Sequence, residues 1–167
     1  MILFAVLVAA FAVSYLVLRH GRHRDAARWA LAVAMMFAGV SHFLDPASFV
    51  RMLPEFVPYR DAVILGTGVI EVLLGIGLLI PRRHRREVAL ALIAYLTAVF
   101  PANVYVAVAE VPIEDLGGGN PWLRLPFQAV YIAWVLWAVP DALEPLRALP
   151  RRRRRDPAQI GHETVAR

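Results

Sequence analysis

Long apolar blocks alternate with short polar ones along this chain. Five apolar segments run over about residues 1–18, 26–44, 62–80, 88–109 and 122–139. Each is close to the roughly 20 residues that cross a ~30 Å hydrocarbon core as a helix. Helix is the required form there, because backbone in lipid must satisfy its own hydrogen bonds. The pattern therefore predicts an all-α, polytopic transmembrane bundle of five spans.

The polar blocks divide by charge. Arg19, Arg22, Arg24 and Arg28 follow the first segment, and Arg82, Arg83, Arg85 and Arg86 follow the third. Arg147 and the run Arg151, Arg152, Arg153, Arg154, Arg155 follow the fifth. The other two connections set Arg51 and Arg60 against Asp45, Glu55, Asp61, Glu110, Glu114 and Asp115. With five spans the arginine-rich regions share one side, which is the positive-inside pattern. The N-terminus is then outside and the C-terminus cytoplasmic. The first segment lacks a positive flank before it, and its small residues Ala9, Ala10 and Ala12 lie inside the apolar run. It therefore reads as a retained span (residues 1–18) rather than a cleaved leader, the alternative open for it. Residues 26–140 form the remaining core. Residues 141–167 read as a basic, disordered cytoplasmic tail whose five consecutive arginines would contact anionic lipid.

Composition narrows the chemistry. Of 167 residues, 59% are hydrophobic and none is cysteine, so thiolate, disulfide and cysteine-ligated cluster chemistry is excluded. The net charge of +5 comes from arginine alone, clustered between apolar blocks. That placement fits membrane topology and not a nucleic-acid face, which would interleave aromatics. The connection 45–61 holds Pro46, Pro54 and Pro58 among apolar residues. It is expected to restart as a short interfacial helix after Asp45-Pro46. Gly117-Gly118-Gly119-Asn120-Pro121 reads as a turn.

Polar groups inside the apolar segments are the candidate site. Glu71 sits near the centre of the third segment, where a charge costs roughly 3 kcal/mol on insertion scales. Gly68, Glu71 and Gly75 share one helical face, and Gly66 and Gly77 share the opposite one. Small residues on both faces predict a central third helix packed on two sides. Arg124 and Gln128 lie one turn apart, with an inward pairing of Arg124 to Glu71 expected. Asn103 follows the helix-breaking Pro101 and is a candidate to cap the carbonyl freed there. His42 closes the second segment. At ~1.5 Å rise per residue, Glu71 falls roughly 13 Å below the outer edge. Asn103 and Gln128 fall roughly 9 Å below it and Arg124 roughly 3 Å, with His42 at the boundary. These five side chains, His42, Glu71, Asn103, Arg124 and Gln128, predict one polar pocket open to the outside with Glu71 at its floor. The bland alternative, in which each group solves a local problem, stays open. No cluster with metal-ligand spacing and no nucleotide fingerprint accompanies them.

At these same residues the chain resembles the DoxX-like family of small bacterial membrane proteins. The resemblance rests on Gly39-Val-Ser-His42-Phe43 with Asp45-Pro46, and on Gly68-Val-Ile-Glu71-Val-Leu-Leu-Gly75-Ile-Gly77. Phe100-Pro101-Ala102-Asn103-Val-Tyr105 and Arg124-Leu-Pro126-Phe-Gln128 complete it. It implies a four-helix core in the bacterial cytoplasmic membrane, to which residues 1–18 add a helix. It also implies an accessory place in a membrane oxidoreductase, with a protein partner and a quinone as the candidate cofactor. Two other readings remain open: a small-molecule or lipid-binding and transport protein, and a non-catalytic scaffold or assembly factor. No residue set in the sequence specifies a catalysed reaction, a metal or an oligomeric state.

Overall fold

A computed structural model of the chain describes residues 2–18, 22–80, 82–112 and 120–143. Regular structure among them is entirely helical. The helices are α1 (Ile2–Val17), α2 (His23–Leu44), α3 (Pro46–Val50), α4 (Arg60–Gly77), α5 (Arg85–Val108) and α6 (Arg124–Ala138). Single 3-10 turns at Arg82–His84, Pro121–Leu123 and Pro140–Leu143 precede α5 and bracket α6. The arginine run Arg151–Arg155 with its tail and the Gly117–Gly119 turn lie outside the described residues. The helix expected after Pro46 is α3, whose first turn is capped by Asp45 accepting the Ser48 N–H at 3.3 Å.

Helix ends and apolar edges differ for a physical reason. α2 begins at His23 and α5 at Arg85, each three residues before its apolar run. Backbone hydrogen bonding continues into polar sequence, whereas hydropathy marks only where side chains suit lipid. Among the described residues, α2 and α5 are long and apolar enough to cross a membrane. α1 is apolar over 16 residues, α6 spans 15, and α4 carries three charges: Arg60, Asp61 and Glu71.

α2, not α4, is the centre of the bundle. It packs against α1, α4 and α6, and Ala26, Ala27, Ala30, Ala32, Ala34 and Gly39 along it are buried. Small side chains on its buried faces let three neighbours approach it closely, while Trp29, Val33, Phe37 and Val40 leave one face outward. α4 buries only Ile64, Gly68 and Gly75. Gly39 and Gly68 mark the α2–α4 crossing. A Cβ on Gly39 would lie 2.5 Å from the Gly68 carbonyl oxygen, and one on Gly68 would lie 2.9 Å from that of Gly39. Further along, Gly75 rests on Met36 and Ala32, so the two helices run antiparallel. Gly77 meets Val88 of α5, but Gly66 has nothing within 4 Å. The expectation of two packed glycine faces on this helix therefore fails at Gly66, which looks outward.

α1 and α6 run side by side in one direction, through Phe4–Phe127 (4.9 Å) and Phe11–Trp134 (5.4 Å). At the other end of the bundle Trp134 donates to the Ala27 carbonyl at 3.0 Å, and Arg28 pairs with Asp25 at 2.8 Å. The outward face of α4 is wholly apolar between its second turn and its end. Leu65, Val69, Ile70, Leu73 and Ile76 are exposed there, while the polar Thr67 and Glu71 turn inward.

Candidate binding cavity

The end of the bundle where α1, α4 and α6 begin and α2 and α5 finish encloses a cavity of about 480 Å³. That falls within the roughly 300–1,000 Å³ of small-molecule sites. Its walls are mainly apolar, including Phe37, Phe49, Leu96, Val99 and Phe127. All five polar residues singled out in the sequence line it: His42, Glu71, Asn103, Arg124 and Gln128.

Their pairing differs from the expectation. Glu71 is bound by Tyr95, whose hydroxyl donates to Oε1 at 2.8 Å, and faces His42, with Nε2 3.7 Å from Oε2. Arg124 instead donates to the Met52 sulfur at 3.6 Å. Depth explains the change. Side chains lean toward the N-terminus of their helix, so Tyr95 reaches inward along α5 to Glu71. The Gln128 amide meets the Leu96 carbonyl, which points the other way, and Arg124 starts α6 one turn further out again. The expected Glu71–Arg124 pair is therefore separated by the layer that Gln128 occupies.

His42 also sits deeper than its place at the end of an apolar run suggested. α4 starts beyond the end of α2, and the close crossing at Gly39 and Gly68 lays the imidazole over the first turns of α4. His42 Nδ1 is 3.0 Å from the Ile64 carbonyl and 3.2 Å from Thr67 Oγ1, and the Thr67 hydroxyl donates to the same carbonyl at 2.8 Å. A carbonyl can only accept, so the Nδ1 proton is assigned to that contact. Nε2 is then the nitrogen turned to Glu71. Phe49 of α3 covers the imidazole at a ring distance of 4.1 Å.

The geometry sets Glu71 and His42 face to face, a carboxyl and an imidazole close enough for their charges to be coupled. With Nδ1–H committed to Ile64, Nε2 either carries a proton toward an ionised Glu71 or offers its lone pair to a protonated one. At 3.7 Å the two heavy atoms fall short of a hydrogen bond, and Glu71 Oε2 is buried without a hydrogen-bond partner. An oxygen-bearing ligand entering the cavity can complete that bond.

Asn103 does not cap its own helix. It donates to Gln128 Oε1 at 3.0 Å, and Gln128 Nε2 donates to the Leu96 carbonyl. Pro101 lies inside α5 and frees the Thr97 carbonyl four residues back, the neighbour of the Leu96 carbonyl that the α6 amide meets. At the rim Asp45 keeps its carboxyl below the usual range through the Ser48 hydroxyl and N–H, while Arg51 donates to that hydroxyl at 2.9 Å. Met52 packs against the cluster of Val106 in the last turn of α5 and Val111 just beyond it.

Tyr95, Thr67 and Met52 were not singled out from the sequence. The signal for two of them was periodicity. Thr67 is one turn before Glu71, and Tyr95 is two turns before Asn103, so both continue a polar stripe. Among the described residues no cluster of potential ligands could hold a metal ion.

No curated protein and no solved structure matches the chain. A family model matches residues 31–139, which run from α2 through α6 and include every polar residue of the cavity discussed above. The chain belongs to that family, described as Domain of unknown function (DUF8561).

Proposed function

We propose that this chain is a five-span protein of the bacterial cytoplasmic membrane that binds a small amphipathic molecule in an outer-leaflet cavity. Its role in that reading is accessory, beside the catalytic subunits of a membrane oxidoreductase. One observation carries the binding half: polar side chains from four helices line one cavity while the outward face of α4 is apolar. That inside-out arrangement suits lipid as the surrounding solvent. α1, α4 and α6 join α2 and α5 as spans. Arg60 and Asp61 lie at the outer end of α4, Glu71 turns into the cavity, and 3-10 turns extend α6 at both ends. The redox half comes from the resemblance to DoxX-like proteins, and a quinone is its first candidate ligand. Quinone carbonyls accept hydrogen bonds, and the Glu71–His42 couple offers a proton.

The test is quinone binding to protein purified in mild detergent. A short-chain quinone is expected to bind the wild type and to bind Glu71→Leu, which removes the donor at similar volume, about fivefold more weakly, the loss of one neutral hydrogen bond. Wild-type protein that neither retains nor takes up quinone would remove the quinone-linked role. A second reading, a lipid or small-molecule carrier without redox duties, is favoured by Arg124, which has no carboxylate partner among the described residues.

A further inference from the structure

The charges around the cavity do not cancel. His42 and Glu71 with one proton between them are neutral in either arrangement, as protonated acid and imidazole or as carboxylate and imidazolium. Tyr95 spends its hydroxyl on Glu71. Asn103 and Gln128 satisfy each other and the Leu96 carbonyl. Asp45 is at the exposed rim, bonded to Ser48 beside Arg51. Arg124 remains. Its side chain is half-buried in the cavity wall, with the uncharged Tyr131 hydroxyl as an electrostatic neighbour, and its one hydrogen bond among the described residues is to the Met52 sulfur. Thioether sulfur is a weak, uncharged acceptor. A guanidinium partly withdrawn from water gains most from a carboxylate or phosphate, whose two oxygens match its fork of donors.

We propose that the ligand of this cavity is an amphiphilic monoanion, a single apolar chain or ring system with one anionic oxygen head, and that Arg124 holds the head. The inference rests on the reading of the cavity as a binding site and narrows its ligand class, moving a neutral quinone to second place. The apolar body lies against the aromatic and aliphatic walls. Glu71 Oε2, the buried oxygen left without a hydrogen bond, meets a second polar atom of ligands that have one. The cavity volume suits one chain better than the two of a phospholipid, but the same head chemistry is available from free amphiphiles and from anionic lipid.

The experiment uses the full chain in nanodiscs of phosphatidylcholine and compares laurate, methyl laurate and a short-chain quinone. Laurate is expected to bind at least about tenfold tighter than its ester, as one charge-assisted hydrogen bond supplies. In Arg124→Gln the two should bind within about twofold of each other, with the ester at its wild-type affinity. Arg124→Lys, which keeps the charge, should retain a preference for laurate. Competition by phosphatidylglycerol doped into the disc would support the inference with membrane lipid as the source of the anion; its absence would support a free amphiphile. Equal binding of laurate and ester by the wild type, or a preference that survives Arg124→Gln, would overturn the inference. Quinone bound more tightly than laurate would also overturn it and leave the binding reading standing. Failure of all three to bind would overturn both.

Discussion

Tyr95 and Gln128 hold the cavity's polar wall together, each by joining two helices. Removing the Tyr95 hydroxyl leaves both oxygens of Glu71 without a hydrogen bond in a buried position. Tyr95→Phe is therefore expected to lower stability by about 1–3 kcal/mol, read from denaturation of the protein in detergent. Unchanged stability would mean that water already serves Glu71. At this scale the sequence was informative about which residues matter and less so about which partners they choose. Glu71 stands out because a carboxyl inside an apolar run demands an explanation. Its partner does not stand out: tyrosine is common near membrane edges, and the geometry that selects Tyr95 over Arg124 is a matter of relative helix depth. Hydropathy gives each segment its own edge and says nothing of how far one helix slides past another.

Small residues decide how the helices meet. At the α2–α4 crossing, a methyl group on Gly39 would strike the backbone oxygen of Gly68, which cannot rotate away. Gly39→Ala should cost about 1–3 kcal/mol through forced separation of the helices, and should loosen the contact of His42 with Ile64. Gly66→Ala meets nothing within 4 Å and should gain up to about 1 kcal/mol from helix propensity. Paired denaturation curves of the two variants check this; equal losses would contradict the packing described. The glycine spacing of α4 was plain in the sequence, but spacing alone gave both faces the same weight. The alanines of α2 carried the better signal for a central helix, since they lie on more than one face of it. The short helix α3 was legible from Asp45-Pro46 because capping is local chemistry.

Taken whole, the molecule keeps its apolar side chains outward on α4 and its polar ones inward, around a cavity at the end where α1, α4 and α6 begin. Among the described residues Arg22, Arg24, Arg28, Arg83, Arg85 and Arg86 fall at the opposite end, which the proposed membrane reading assigns to the cytoplasm. Helix content and order were readable because the period and length of apolar runs are those of buried or lipid-facing helices. What the cavity admits was not readable, since that depends on charges left unpaired after folding. The chain has no cysteine, so a single introduced thiol reports its own surroundings. Ser41 lines the cavity, and Leu73 is 61% exposed on the outward face of α4. The decisive measurement is labelling of Ser41→Cys and Leu73→Cys in intact cells with a membrane-impermeant maleimide, which needs water and a thiolate. The account expects Ser41→Cys to react from outside and Leu73→Cys to stay unlabelled. Rapid labelling of Leu73→Cys with none at Ser41→Cys would contradict it.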